Sequence, residues 1–108
     1  MANAFKNAYL DVTNSAQTAY TVPASTEAII QSIRITNVNG STADAITCDI
    51  EDSSSGNSRI ASTISVPADS SLELLENKIF MEAGDKIKLT GNQSSGYIEA
   101  YISVLEIT

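Results

Sequence analysis

The chain has no histidine, no tryptophan and a single cysteine, Cys48. Without histidine and with one thiol, the usual zinc, copper and haem centres lack their ligands. The same shortage removes the Ser-His and Cys-His pairs that activate a nucleophile, and an intramolecular disulfide is excluded. Cys48 stands in the alternating run Ile46, Cys48, Ile50 beside Asp49 and Glu51. A reactive thiol wants basic neighbours, so this setting predicts a small buried hydrophobe.

Bases are scarce as well. Six of them, Lys6, Arg34, Arg59, Lys78, Lys86 and Lys88, stand against thirteen acids, for a formal charge of −7. They form no stripe that would neutralise a run of phosphates, so no nucleic-acid partner is expected. No apolar run approaches the roughly 18 to 20 residues of a membrane span, and no membrane partner is expected either. The start, Met1-Ala-Asn-Ala-Phe-Lys, has no basic segment leading into an apolar one; this predicts no signal peptide and synthesis in a cytosol.

What is present is β-strand patterning. At 108 residues, 43 % of them hydrophobic, the chain suffices for one domain with one core. The stretch Ala28 to Val38 is the clearest centre, with Ile29, Ile33 and Ile35 set against Ser32, Arg34 and Thr36 in a period of two. Ala45 to Glu51 alternates again, with Ile46, Cys48 and Ile50 inward. Arg59 to Val66 places Ile60, Ile64 and Val66 on one parity, and Tyr97 to Ile107 places Ile98, Ala100, Ile102 and Val104 on one face. This last run is expected to lie beside the central strand. Shorter strands are expected at Tyr9–Thr13, Thr18–Val22 and Lys86–Thr90. Ser71–Met81 reads as a strand, a kink and a second strand, or as a one-turn helix over Leu72–Asn77.

Turn signals separate these runs: Asn39-Gly40-Ser41, the polar stretch Asp52–Ser58, Ala83-Gly84-Asp85 and Gly91–Gly96. Pro23 and Pro67 close two strands, each within Val-Pro-Ala, and are expected to terminate edge strands at one end of a sandwich. Lys86 and Lys88 are expected to mark a further edge. Seven to nine short strands without a convincing helix predict an all-β, two-sheet β-sandwich, jelly-roll or immunoglobulin-like. It is expected to span residues 10–108 and to be preceded by a weakly patterned arm, residues 1–9.

No constellation of catalytic type stands out. Asp44, Asp49, Glu51 and Asp52 cluster in sequence, but without the ligand spacing of calcium loops they read as a solvated acidic edge. A glycosidase-like pair of carboxylates would want a cleft and aromatic sugar platforms, and neither is signalled. The chain is therefore expected to be no enzyme and to need no cofactor. The candidate interface residues are aromatic: Phe5 and Tyr9 in the arm, and Tyr97 and Tyr101 on the face opposite the inward aliphatics, as partner anchors or as cover for a sandwich edge. The arm is expected to add onto a neighbouring subunit or a partner protein, which predicts a homo-oligomer or a monomer that becomes ordered only on its partner.

The ordered set Thr21-Val-Pro-Ala-Ser-Thr-Glu-Ala-Ile-Ile, Ser32-Ile-Arg-Ile-Thr-Asn-Val, Ser65-Val-Pro-Ala-Asp-Ser-Ser-Leu-Glu-Leu-Leu and Glu82-Ala-Gly-Asp-Lys-Ile-Lys-Leu-Thr resembles a group of small structural proteins of tailed bacteriophages, especially marine and cyanobacterial ones. The likeness runs roughly from Thr18 to Ile107 and rests on turn and strand punctuation. It implies a virion component made in the host cytoplasm, foremost a capsid decoration (cement) protein on the head shell, with the major capsid protein as partner. A neck or tail accessory and a receptor-binding module of a tail fibre are the alternative roles it leaves open.

Overall fold

Strand β3 (Glu27–Asn37) occupies the middle of the larger sheet, as its isoleucines predict, and buries Ala28, Ile30, Ile33 and Ile35. In this computed structural model, which describes residues 2–54 and 56–108, the other strands are β1 (Asn3–Val12), β2 (Gln17–Thr21), β4 (Asp44–Glu51), β5 (Asn57–Val66), β6 (Ser71–Glu73), β7 (Ile79–Met81), β8 (Lys86–Thr90) and β9 (Ile98–Ile107). Met1 of the expected arm and Ser55 of the expected polar loop lie outside the described residues.

The topology is that of an antiparallel ribbon rolled up on itself. From the hairpin β4–β5 outward, β3 pairs with β6 and β7, β2 with β8, and β1 with β9. Rolling adds the pairs β3–β9 and β4–β8, so the sheets read β1-β9-β3-β6, with β7 also on β3, and β2-β8-β4-β5. With β6 and β7 taken as halves of one strand, this is the eight-stranded order of a jelly roll and not that of an immunoglobulin domain. The two inner faces share one core that includes Val12, Ile30, Ile33, Ile46, Ile87, Leu89, Ile98 and Ile102. Cys48 is within it at 0 % exposure, and burial pushes its thiol pKa up to about 12. A thiol reagent at neutral pH should therefore leave the native protein unlabelled and react fully once denaturant is added; rapid native labelling would contradict the burial.

Several expectations need correction. Residues 1–9 are not a separate arm: Asn3 to Val12 pair continuously with Ile107 to Ile98, and Ala2 and Thr108 bond each other's backbone at 3.1 and 2.9 Å. The alternation was unreadable there because β1 is an edge strand, and β2 ends near Pro23 too soon to shelter Ala4 and Lys6, which stay exposed. In β3 the buried phase is Ala28, Ile30, then Ile33, Ile35; an irregularity between Ile30 and Ser32 inserts one residue and turns Ile29 to the outer face. In β5 the register against β4 shifts twice, between Ala61 and Ile64, near Thr63 with φ 49°, and between Arg59 and Ala61; Ile60 and Ile64 are exposed while Ala61 and Val66 are buried. Lys86 and Lys88 do not mark an edge, because β8 is flanked by β2 and β4, and on the outer face they oppose Glu51 and Asp49.

The two Val-Pro-Ala segments do follow edge strands, β2 and β5, but at opposite ends of the smaller sheet, since those strands run antiparallel to each other. What they share is turn chemistry. Ser25 and Asp69 both take positive φ, 56° and 55°, and the next hydroxyl, Thr26 or Ser70, donates to the carbonyl of Ala24 or Ala68. Each turn carries the chain from the smaller sheet to the larger one.

The kink of Ser71–Met81 is a break in an edge strand. Between β6 and β7, the Glu73 carboxylate accepts from the Ile33 N–H at 2.7 Å and from the Ser32 hydroxyl, while Leu74 N–H donates to the Ile33 carbonyl at 3.0 Å. A side chain thus satisfies the β3 backbone where the ladder is interrupted.

Candidate interaction face

The outer faces of the two sheets differ in chemistry. On the smaller one, Asp49 binds Arg59 at 2.9 Å and Glu51 lies 3.9 Å from Lys86, a solvated lattice of opposite charges. Asp52 turns away to the β4–β5 loop, where its Oδ1 accepts from Ser54 and Gly56 N–H at 2.8 and 2.7 Å. Asp44 is buried and accepts from Ala45 N–H at 2.8 Å. The acids clustered in sequence are therefore not one solvated edge: Asp49 and Glu51 share the charge lattice, Asp52 holds a loop and Asp44 is buried. Among the described residues no three His, Cys, Asp or Glu side chains are grouped to hold a metal.

The outer face of the larger sheet is apolar and aromatic at intervals. Cross-strand register sets Phe5 beside Leu105, Leu105 beside Ile29, and Ile29 beside Phe80, one row over β1, β9, β3 and β7. At about 4.8 Å per strand the row is roughly 15 Å wide. Its end members are free to solvent, Phe5 at 77 % and Phe80 at 59 % exposure. Four residues along β1, about 13 Å away, a second row reads Tyr9, Tyr101, Arg34, Glu73. Tyr9 and Tyr101 tilt at 48° with ring centroids 6.4 Å apart, and they are 79 % and 48 % exposed.

Beside this second row is a depression of about 400 Å³ bordered by Tyr9, Asp11, Arg34, Thr36, Glu99 and Tyr101. A smaller one of about 280 Å³, bordered by Phe5, Asn7, Gln31 and Ser103, lies between the rows.

Of the four aromatic residues singled out from the sequence, Phe5, Tyr9 and Tyr101 share this face. Tyr97 does not join them: it precedes β9, and its carbonyl accepts from Val38 N–H at 2.9 Å. The partner of Tyr101 is Tyr9, across the ladder, rather than Tyr97, four residues back along the chain. Sequence reasoning missed Phe80, whose signal was its place between the inward Ile79 and Met81, and it missed Arg34, Asp11 and Glu99, which only register brings together. Tyr20, on the opposite sheet, donates to Glu106 at 2.5 Å; burial and this carboxylate raise its pKa, so it remains a neutral donor tying β2 to β9. No protein-family model matches the chain, and neither does any curated protein.

Proposed function

We propose that the chain is a non-enzymatic structural protein of a phage virion, a decoration protein that attaches to the head shell through the outer face of its larger sheet. The observation that carries this reading is the row Phe5, Leu105, Ile29, Phe80. Large apolar side chains aligned over four strands leave water at a gain of about 25 cal/mol per Å² when a partner covers them, and aromatic anchors dominate such interfaces. The jelly-roll order supports it, being a fold of viral shell proteins among others, and so does the likeness of the Val-Pro-Ala and Ala-Gly-Asp segments to small phage structural proteins.

Attachment by a face also fits the state of the sheet edges. Edge strands invite a foreign strand unless they are blunted. Here the β6–β7 edge is broken, β5 carries its irregularity at Thr63, β2 is short with a register shift between Thr18 and Tyr20, and Lys6 sits at an inward-facing position of β1. Each device opposes strand addition and leaves the outer face free for docking. The partner is the major capsid protein, and any homo-oligomer is built through the same apolar row.

Antibody labelling of phage particles from the lysate in which the chain is made tests the role. Gold over the heads is expected; gold confined to neck, tail or fibre, or particles without label, overturns the decoration reading. In parallel, the double substitution Phe5→Ser, Phe80→Ser should abolish incorporation into particles while leaving the melting temperature within a few degrees of the parent. Undiminished incorporation would remove the apolar row from the interface.

A further inference from the structure

The depression beside the tyrosine row has a chemistry that folding does not account for. Asp11 and Glu99 are directly opposite each other in the β1–β9 register, an arrangement of like charges that costs stability in an antiparallel pair. Arg34 borders the same depression. Among the described residues the ion pairs are Arg59–Asp49 and Lys86–Glu51, so Arg34, Asp11 and Glu99 are tied up in none. Two rings stand exposed beside them where the smaller sheet's outer face carries a lattice of paired charges. Unspent polar groups and uncovered rings around one hollow, maintained against a local electrostatic cost, mark a binding site better than they mark a stabilising feature.

From this juxtaposition of Tyr9, Tyr101, Arg34, Asp11, Glu99 and Thr36 we infer that the depression binds a neutral saccharide. The charges select the class. The protein carries −7 overall and two carboxylates border the hollow, which disfavours sialylated, sulfated or phosphorylated ligands. Arg34 borders the hollow too and offsets one of the two carboxylates, which weakens its pull on the lysine or arginine side chain of a protein partner. A polyhydroxyl ligand without charge is attracted by both kinds of group. Vicinal hydroxyls donate to carboxylates and accept from a guanidinium fork. The C–H face of a pyranose ring lies against an aromatic ring, whose apolar body and polar tip suit a half-wet site. The volume, about 400 Å³, falls at the lower end of the roughly 300–1,000 Å³ of small-ligand sites and is open along the sheet, so a segment of a longer glycan fits without needing a free end. The hollow lies on the same outer face, about 13 Å along β1 from the apolar row, so a shell interface of ordinary size covers it and saccharide binding is read on the free protein.

A glycan array carrying neutral, sialylated and sulfated glycans, probed with the full-length protein, is the first arm of the test; NMR titration with the best neutral glycan is the second, and a basic hexapeptide of alternating Lys and Arg is the comparison ligand. Retention on neutral glycans is expected, with amide shifts at Tyr9, Asp11, Arg34, Glu99 and Tyr101. Tyr101→Ala and Arg34→Met should each weaken binding about tenfold or more, whereas Phe80→Ser, in the other row, should leave it unchanged. Melting curves of each variant separate lost binding from lost fold, and Tyr101→Phe, which retains the ring, should retain binding. The inference is overturned if no neutral glycan is retained, if acidic glycans or the basic peptide bind better, or if the shifts fall elsewhere. Particle labelling reads the shell role by itself, so either reading can fail without the other.

Discussion

Replacing Asn37 by Asp should cost about 3–5 kcal/mol of folding free energy, a large part of the roughly 5–15 kcal/mol that holds a domain of this size. Asn37 ends β3 at 0 % exposure, and both polar atoms of its amide have partners. Its Nδ2 donates to the carbonyls of Thr42 and Val66, both at 3.0 Å, and its Oδ1 accepts from Asn39 N–H at 2.9 Å. One side chain thereby joins the larger sheet to the end of β5 and pins the β3–β4 connection. A carboxyl of the same shape has no amide donors, so an oxygen would face two carbonyl oxygens, either as a buried charge or as an acid with a single proton to share.

The sign of the pH dependence follows. Burial among carbonyls raises the pKa of the introduced carboxyl above its unfolded value of about 3.9, so the folded state retains the proton more tightly. The deficit relative to the parent should therefore be smaller at pH 3 and grow as pH rises past the unfolded pKa toward 7. Urea unfolding of parent and variant at the two pH values is the measurement. A loss below about 1 kcal/mol at pH 7 would show that the carbonyls of Thr42 and Val66 find other donors.

A protein beginning at Leu10 should be destabilised on the order of 3–6 kcal/mol and should self-associate. Asn3 to Tyr9, which the deletion removes, are paired residue by residue with Ile107 to Tyr101, and each ladder hydrogen bond is worth about 1 kcal/mol net. Removing most of the strand also strips the cover from β9 between Tyr101 and Ile107, a segment rich in Ile, Val and Leu. A strand of that kind at an edge is a template for pairing, and the inward Lys6 that blunted the old edge goes with the deletion. Light scattering and denaturant unfolding of the shortened chain read both effects. A monomer of parental stability would mean that the β1–β9 ladder contributes little and that the segment is free to pair with a partner.

The strands that were legible from the amino-acid sequence are those whose alternation is uninterrupted and whose one face is covered. β9 and β4 show the rule: Ile98, Ala100, Ile102 and Val104, and likewise Ile46 and Cys48, are buried in a single phase, so period two in sequence becomes one face in space. The all-β class, the two-sheet sandwich and the burial of Cys48 follow from that local pattern together with turn residues. Where a strand carries an irregularity, as at Gln31 in β3 and near Thr63 in β5, the phase changes midway, because the strand holds an extra residue against its partner that shows only in the paired register. An edge strand exposed on both faces, such as the first half of β1, shows no alternation at all, because its stability comes from backbone hydrogen bonds that every residue type can make.

The interaction face divides in the same way. Exposed aromatic side chains could be nominated, Tyr101 from its outward parity and Phe5 and Tyr9 as large rings in a weakly patterned segment of Ala, Asn and Lys. Which of them meet was decided only by the rolled ribbon, which sets the N-terminal strand beside the C-terminal one and both beside β3. That arrangement pairs Tyr9 with Tyr101 instead of Tyr97, aligns Phe5 with Phe80, and brings Arg34, Asp11 and Glu99 from three strands to one hollow. Strand order and register are properties of long-range pairing, and a period of two, identical in every strand, carries no information about which strand lies next to which.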